Sequence, residues 1–222
     1  MLACLTNQRG NRMQKGKTVL LILALSFGII GCGQDKAPDV SSVSIGKDGK
    51  IVHQIVGDFE QNYYEMEGLK SLAADRVAEY CADNGADSVT LGAVEEKDGR
   101  ILIQFNYATD RDYSEFNHRD LFVGTIAEAM EKGYPLESVP FVSSAGEAIE
   151  IGFMDNYETK QIAIIATKPS EELVVNIYGK VLYINRGSNE TDVAFSGKKG
   201  VHITYPANEN TDESVLSYIV FE

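Results

Sequence analysis

Three groups of residues have types and spacings that could do chemistry. His118-Arg119-Asp120-Leu121 opens like the catalytic loop of a protein kinase. That loop needs an asparagine at position 125 to hold a metal, and Thr125 stands there; no glycine-rich phosphate loop accompanies it. A solvated loop with a local ion pair is the simpler reading. Asp110-x-Asp112-x-Ser114 begins like a calcium loop. An EF-hand then requires glycine at the sixth position for its sharp turn and a bidentate glutamate at the twelfth. Glu115 and Leu121 occupy those places, which leaves an acidic, solvated loop, as for Asn208-Glu-Asn-Thr-Asp-Glu213. The three histidines, His53, His118 and His202, are scattered, without a second ligand at zinc spacing. His53 and His202 fall in strand-like segments and are expected on a sheet surface. Neither a metal nor a cofactor is expected. A dispersed set could still converge in space, with His118 as base beside Asp110, Asp112 or Asp120, and would make the protein a cell-envelope hydrolase.

The cysteines point elsewhere. Lys15 and Lys17 precede Val19 to Ile30, the run VLLILALSFGII, and Gly31-Cys32-Gly33 follows at once. A run of about 12 residues has the length of a signal-peptide core and is short for a bilayer interior of about 30 Å. It also lacks the polar face of an ordinary buried helix. The segment resembles a bacterial lipoprotein signal peptide, in which a small residue, here Gly31, precedes an acylated cysteine. Leu and then Ala or Ser are the family's preference at the two places before it, where Ile29 and Ile30 stand. The resemblance implies a signal peptide over 1–31, a lipid on Cys32, a short polar tether over 32–40 and residence on the extracytoplasmic face of the cell membrane. Met13-Gln-Lys-Gly-Lys is the more typical start, which marks residues 1–12 as a candidate mis-called extension. Cleavage would remove Cys4 and acylation would occupy Cys32. Cys81 would remain as the only other thiol, with no intramolecular disulfide. Each buried methylene of a lipid contributes about 0.8 kcal/mol, so two or three acyl chains anchor firmly. With the hairpin segment Val43 to Ile51, the signal is also similar to uncharacterised surface lipoproteins of anaerobic Gram-positive bacteria, a likeness that implies no activity.

The elements that would position any site read as an α+β fold. Asp48-Gly49 between two β-rich runs predicts a hairpin, and Asp98-Gly99 predicts another between Ser88–Val94 and Arg100–Tyr107. Between them the spacing predicts a helix over about Tyr64 to Asp83. Leu69, Leu72, Ala73, Val77, Tyr80 and Cys81 form its apolar stripe, Asn62 with Glu65 a capping box, and Asn84-Gly85 its stop. On that stripe Cys81 reads as buried filler, since a reactive thiol needs exposure and a basic neighbourhood. Residues 110–120 read as a charged loop with at most a helical turn near Ser114. Thr125-Ile-Ala-Glu128 is a capping box opening a short helix that Gly133 ends. After Pro135 short strand candidates follow one another: Ser138–Val142, Ala148–Phe153, Gln161–Ala166, Leu173–Ile177, Val181–Ile184, Val193–Phe195, Val201–Thr204 and Val215–Phe221. Residues 41–134 thus form a ββαββα unit with an antiparallel sheet, and 135–222 a mostly antiparallel β part. The latter is a second domain or a continuation of the first around a shared core.

Composition limits the partners. The formal net charge is −13, and residues 1–31 hold four basic and no acidic side chains. Without them sixteen basic residues face thirty-three acids, a formal −17. Such a polyanion does not suit nucleic acid, whose binding needs Lys and Arg against phosphate, nor attachment to an anionic lipid surface by its own charge. Tyrosine dominates the aromatics, with 11 Tyr and no Trp. Its flat apolar ring and polar tip suit a binding face lined by tyrosine and, equally, sheet pairing. The expectation is a membrane-anchored, non-enzymatic binding or interaction module for a protein, peptide or glycan.

Overall fold

The two Asp-Gly turns are tight because their residues accept positive φ. At the second, Asp98 (φ 54°) and Gly99 (φ 73°) are both left-handed, the pairing that matches the right-handed twist of the flanking strands. Lys97 then faces Arg100 directly. At the first, Gly49 (φ 81°) turns the chain so that Ile45 faces Ile51.

The structure is a computed structural model that describes residues 38–58, 65–154, 156–187, 191–207 and 211–222. In chain order it runs β1 Ser41–Ile45, β2 Ile51–Asp58, α1 Met66–Asn84, β3 Val89–Lys97, β4 Arg100–Tyr107, α2 Asp110–Asn117, β5 Leu121–Thr125 and α3 Ile126–Glu131. It continues through β6 Phe141–Ser143, β7 Ala148–Ile149, β8 Gln161–Thr167, β9 Glu171–Ile177, β10 Val181–Asn185, β11 Asp192–Ser196, β12 Gly200–Tyr205 and β13 Val215–Phe221, with single 3-10 turns at Leu136–Ser138, Ile151–Phe153 and Tyr157–Thr159. The fold is α+β, with strands predominating in the C-terminal part.

Two sheets form. A seven-stranded sheet has the order β11-β12-β9-β1-β2-β4-β3, and a six-stranded sheet the order β5-β8-β13-β10-β6-β7. Pairings are antiparallel except β1 with β9, which run parallel. Strands from before and after residue 135 interleave in both sheets: β9, β11 and β12 extend the first, and β5 edges the second. The described residues, 38–222 less the gaps given above, cluster as one compact unit.

One core lies between the sheets, with Val43, Val175 and Val201 from the larger and Ala163, Ile165 and Phe221 from the smaller. A second core covers the other face of the smaller sheet, where Ile162, Ile164 and Val220 meet Ile126 and Ala129 of α3. This explains why β8 reads as the unbroken run IAIIA. Both its faces are buried, so no polar alternation survives.

Several expectations are corrected. Residues 110–117 are a helix, not a loop. Thr109 caps it by accepting the Asp112 amide at 3.1 Å, and Tyr113 and Phe116, three apart, bury one face. Leu121–Thr125 is an unanticipated strand. The expected strands over 138–142 and 148–153 shrink to β6 and β7. The flanking 3-10 turns instead point Leu136 and Ile151 into the second core. Helix α1 stops at Gly85 as expected, with its amide on the Cys81 carbonyl. Yet Leu72 is 68% exposed, and only Ala73 of the stripe is fully buried. Glu65 sits at the N-cap without a side-chain cap bond, and Asn62 lies outside the described residues. The capping box of Thr125 and Glu128 forms, and Gly133 (φ 89°) follows α3.

Candidate functional site

The residues singled out for chemistry are mostly committed to structure. Asp110 and Ser114 guard the free edge of β5. Leu121 donates its amide to Ser114 Oγ at 2.9 Å and Val123 donates to Asp110 Oδ2 at 2.9 Å. At the far end Thr125 donates to Glu128 Oε2 at 2.7 Å. The outward amides of this edge strand are thereby filled by side chains, one way natural sheets avoid pairing with another chain. Asp112 accepts from Tyr80 Oη at 3.2 Å and ties α2 to α1. The calcium-like spacing is thus a helix start plus an edge guard. Among the described residues no group of three or more His, Cys, Asp or Glu could hold a metal ion.

His118 ends α2 in the left-handed conformation (φ 50°, ψ 48°). Its side chain is exposed and makes no hydrogen bond or ion pair among the described residues. Asp120 is also exposed, and its carbonyl rather than its carboxylate is used, accepting from Ala166 at 2.9 Å. The structure does not bring His118 together with Asp110, Asp112 or Asp120. Cys81 is half-buried and donates its thiol to the Val89 carbonyl at 3.2 Å. Cys32 and the rest of residues 1–37 lie outside the described residues.

The polar group that sequence reasoning misplaced is His53. It points between the sheets, 7% exposed, and not onto a surface. Its ring lies 5.4 Å from that of Tyr113, close to Arg119, which is paired with Glu171 at 2.5 Å. Burial, and secondarily the Arg119 charge, lower the His53 pKa to about 4, so the imidazole is neutral at pH 7. Burial raises Tyr113 to about 12. Arg119 lies level with Thr167 if the β5–β8 register is continued by two residues, which brings Thr167 to the same end of the sandwich. Among the described residues His53 Nδ1, Tyr113 Oη, Arg119 Nε, Thr167 Oγ1 and Ser217 Oγ are buried without a hydrogen-bond partner. Each such atom costs about 1–3 kcal/mol. His53 and Tyr113 are too enclosed for substrate to reach them, so this cluster can set stability against pH but is not an open reaction centre. The signal that could have located it is the alternation Ile51, His53, Ile55 on β2, which puts His53 on the apolar face.

Two surfaces away from these buried groups can be described. A groove of about 450 Å³ lies over β5, lined by Asp110, Phe122, Val123, Glu128, Glu131 and Lys132. Lys132 Nζ already sits 4.6 Å over the Phe122 ring, and two of its carboxylates hold the β5 edge.

The second surface is the outer face of the seven-stranded sheet, since α1 and α2 pack into the core on its inner side. Two rows of side chains cross it at right angles to the strands. One runs Ala194–His202–Val174–Ser42–Gln54–Gln104. The next runs Gly200–Asn176–Ser44–Val52–Asn106–Thr90. His202 Nε2 lies 2.8 Å from Glu172 Oε1, at the margin of the rows. Asn176 donates to Ser44 Oγ at 3.3 Å, Gln104 to Asn106 Oδ1 at 2.9 Å, and Asn106 to Thr90 Oγ1 at 3.3 Å.

Tyrosine lines neither surface. Tyr107, Tyr113, Tyr205 and Tyr218 are buried, and Tyr80, Tyr134, Tyr157, Tyr178 and Tyr183 are half-buried against the two cores. Tyr63 and Tyr64 lie outside the described residues. Comparison of the chain with protein-family models, with curated proteins and with solved structures finds no match.

Proposed function

We propose that this chain is a lipoprotein held at the extracytoplasmic face of the cell membrane by a lipid on Cys32, and that its folded part is a non-enzymatic binding module. The anchor rests on the apolar run Val19 to Ile30 and the Gly31-Cys32-Gly33 that ends it. The tether is held where it meets the fold: Arg100 Nη1 donates to the Asp39 carbonyl at 2.9 Å, and Arg100 lies 3.6 Å from the Asp39 carboxylate. Among the described residues no helix is long and apolar enough to cross a membrane.

The observation that supports binding over hydrolysis is the isolation of His118. A general base must stand within hydrogen-bond reach of its partners; the Asp110 and Asp112 carboxylates are engaged elsewhere, and Asp120 makes no hydrogen bond to His118 among the described residues. Mass spectrometry of the membrane fraction tests the anchor: an N-terminal peptide beginning at diacylated Cys32 is expected, and unmodified Cys32 still joined to Gly31 overturns it. A thermal-shift screen of the full chain against peptides and glycans tests the module. Hydrolysis of any of these ligands that is lost in His118→Ala would sink the non-enzymatic reading.

A further inference from the structure

We infer that the end of the fold formed by the β1–β2, β9–β10 and β11–β12 turns is a docking surface for a polyanionic chain, one that carries negative charge on each repeating unit. The inference rests on reading the chain as a binding module and names the chemistry of its partner.

The first observation is a reversal of charge. The whole chain holds 20 basic against 33 acidic residues. The three turns, over 46–50, 178–180 and 197–200, hold five lysines, Lys47, Lys50, Lys180, Lys198 and Lys199, against one acid, Asp48. All five lysines are exposed. Among the described residues only Lys50 has an ion-pair partner, Asp48 at 3.6 Å. The other four ammonium groups are free to meet an anionic partner.

The second observation is proximity. Strands β12, β9, β1 and β2 are consecutive neighbours in the larger sheet, and at about 4.8 Å between strands they span roughly 15 Å. The turns between them meet at one end. Ile45 lies beside Ile177, the Lys199 carbonyl accepts from the Ile177 amide at 2.7 Å, and the Lys198 carbonyl accepts from the Val181 amide at 2.9 Å. Glu222 joins this end, its carbonyl accepting from the Lys180 amide at 2.7 Å, and Asp87 precedes β3 two strands beyond β2. With Asp48 and Glu222 included, five ammonium groups still face two carboxylates. Charges are screened beyond about 8 Å at physiological ionic strength, so a ligand on these turns meets the lysines rather than the acid excess of the remainder.

The third observation is the kind of cation. All five are lysine and none is arginine. A guanidinium fork grips one phosphate or carboxylate in fixed geometry, whereas an ammonium is a point charge on a flexible stem. Several such stems suit charges spaced along a chain, which need no exact register. The patch also lies at the opposite end of β1 from Asp39, the residue Arg100 holds where the tether meets the fold. That placement favours a polymer beyond the protein over the lipid surface beneath it.

The test is fluorescence anisotropy of end-labelled polyphosphate and polygalacturonate, titrated with the full chain in neutral detergent, with dextran as the neutral control. At least one polyanion should bind and dextran should not. Binding should weaken roughly tenfold or more between about 50 and about 200 mM salt. The pair Lys198→Gln and Lys199→Gln keeps the backbone bonds of the turn and should weaken binding roughly tenfold. The pair Lys97→Gln and Lys132→Gln removes the same charge elsewhere and should leave binding unchanged. Unfolding curves confirm that each variant is folded. Binding of polyphosphate alone assigns a phosphate-bearing chain, and of polygalacturonate alone a carboxylate-bearing one. The assignment is overturned if neither polyanion binds the wild type, or if the two pairs of substitutions weaken binding equally. A preference for phosphatidylglycerol over phosphatidylcholine vesicles that the Lys198 and Lys199 pair removes, with no polymer bound, gives the patch to lipid and sinks the polymer. A wild type that ignores both polyanions but is stabilised by a peptide or a neutral glycan sinks the patch and leaves the binding module. Shortening of a bound polymer sinks the non-enzymatic reading and leaves the docking surface.

Discussion

His53 should make this protein lose stability as the pH falls from about 6.5 to about 4. In the unfolded chain the imidazole takes up a proton near 6.5, whereas in the fold burial between the sheets and the nearby Arg119 charge delay this to about 4. The unfolded state therefore binds more protons throughout that window, and stability declines as the pH drops. The loss is complete near pH 4 and levels off below it. A separation of about 2.5 pH units at 1.36 kcal/mol each comes to roughly 3 kcal/mol. For a domain of this size that corresponds to about 6–12 °C in Tm. The groups around the ring do not offset it. Tyr113 of α2 is neutral across the window, Arg119 is repulsive, and Glu171 is already paired to Arg119. The assay is urea unfolding of the wild type and of His53→Gln at pH 7 and pH 4. Glu115 and Glu128, whose carboxyls are held below their usual range by hydrogen bonds from Arg111 and from Thr125, titrate in both proteins and cancel in the comparison. The wild type should lose roughly 3 kcal/mol more than the variant. Equal losses, or an imidazole that titrates near 6.5 by NMR in the folded protein, would refute the buried, neutral assignment.

Other perturbations follow from contacts already described. Asp110→Ala leaves the Val123 amide without its acceptor and should cost about 1–3 kcal/mol; light scattering should also show self-association through the unguarded edge of β5. Thr125→Ala removes the capping box of α3 and should cost roughly 0.5–2 kcal/mol in chemical unfolding. Gly99→Ala places a Cβ in a left-handed turn and should cost about 1–2 kcal/mol, with the hairpin amides exchanging faster. Arg119→Met alone takes the cation from the partly buried Glu171 carboxylate and leaves it the Lys168 amide, at about 1.5–3 kcal/mol. Adding Glu171→Met should recover part of that loss, a gain that a double-mutant cycle measures.

What could be read from the chain was local. Asp98-Gly99, Thr125 with Glu128, and the stop at Gly85 each depend on residues within a turn of one another, and all form as expected. What could not be read depends on distant partners. Charged residues hid α2, because its two anchoring residues, Tyr113 and Phe116, are outnumbered by polar ones that face solvent. The β5 strand is short and sits between two helices, and only its pairing with β8 defines it. Nothing near Ser41 announces that β1 lies parallel to β9, more than a hundred residues away. His53 is a half-legible case: its alternation with Ile51 and Ile55 is local and readable, while Val52 and Val56 make the opposite face of β2 apolar as well. Alternation shows that a strand has two faces, but the second sheet decides which one is covered. The rows across the outer face of the larger sheet likewise emerge only from the register, which sets Ser42 beside Gln54 and Gln54 beside Gln104.

The guarded edge of β5 bears on the order in which the chain folds. Ser114 and Asp110 lie only seven and thirteen residues before the amides they occupy, and Glu128 lies three after its own. Contacts this close in sequence close early, while pairing with the later β8 must wait for a long loop to search. During that wait one flank of β5 is already sealed, which leaves a single flank open to the correct neighbour. A nascent strand with one free side accepts one partner and ends there. The guard thus halves the opportunities for misassembly at the stage when a slow, long-range β topology is most exposed to it.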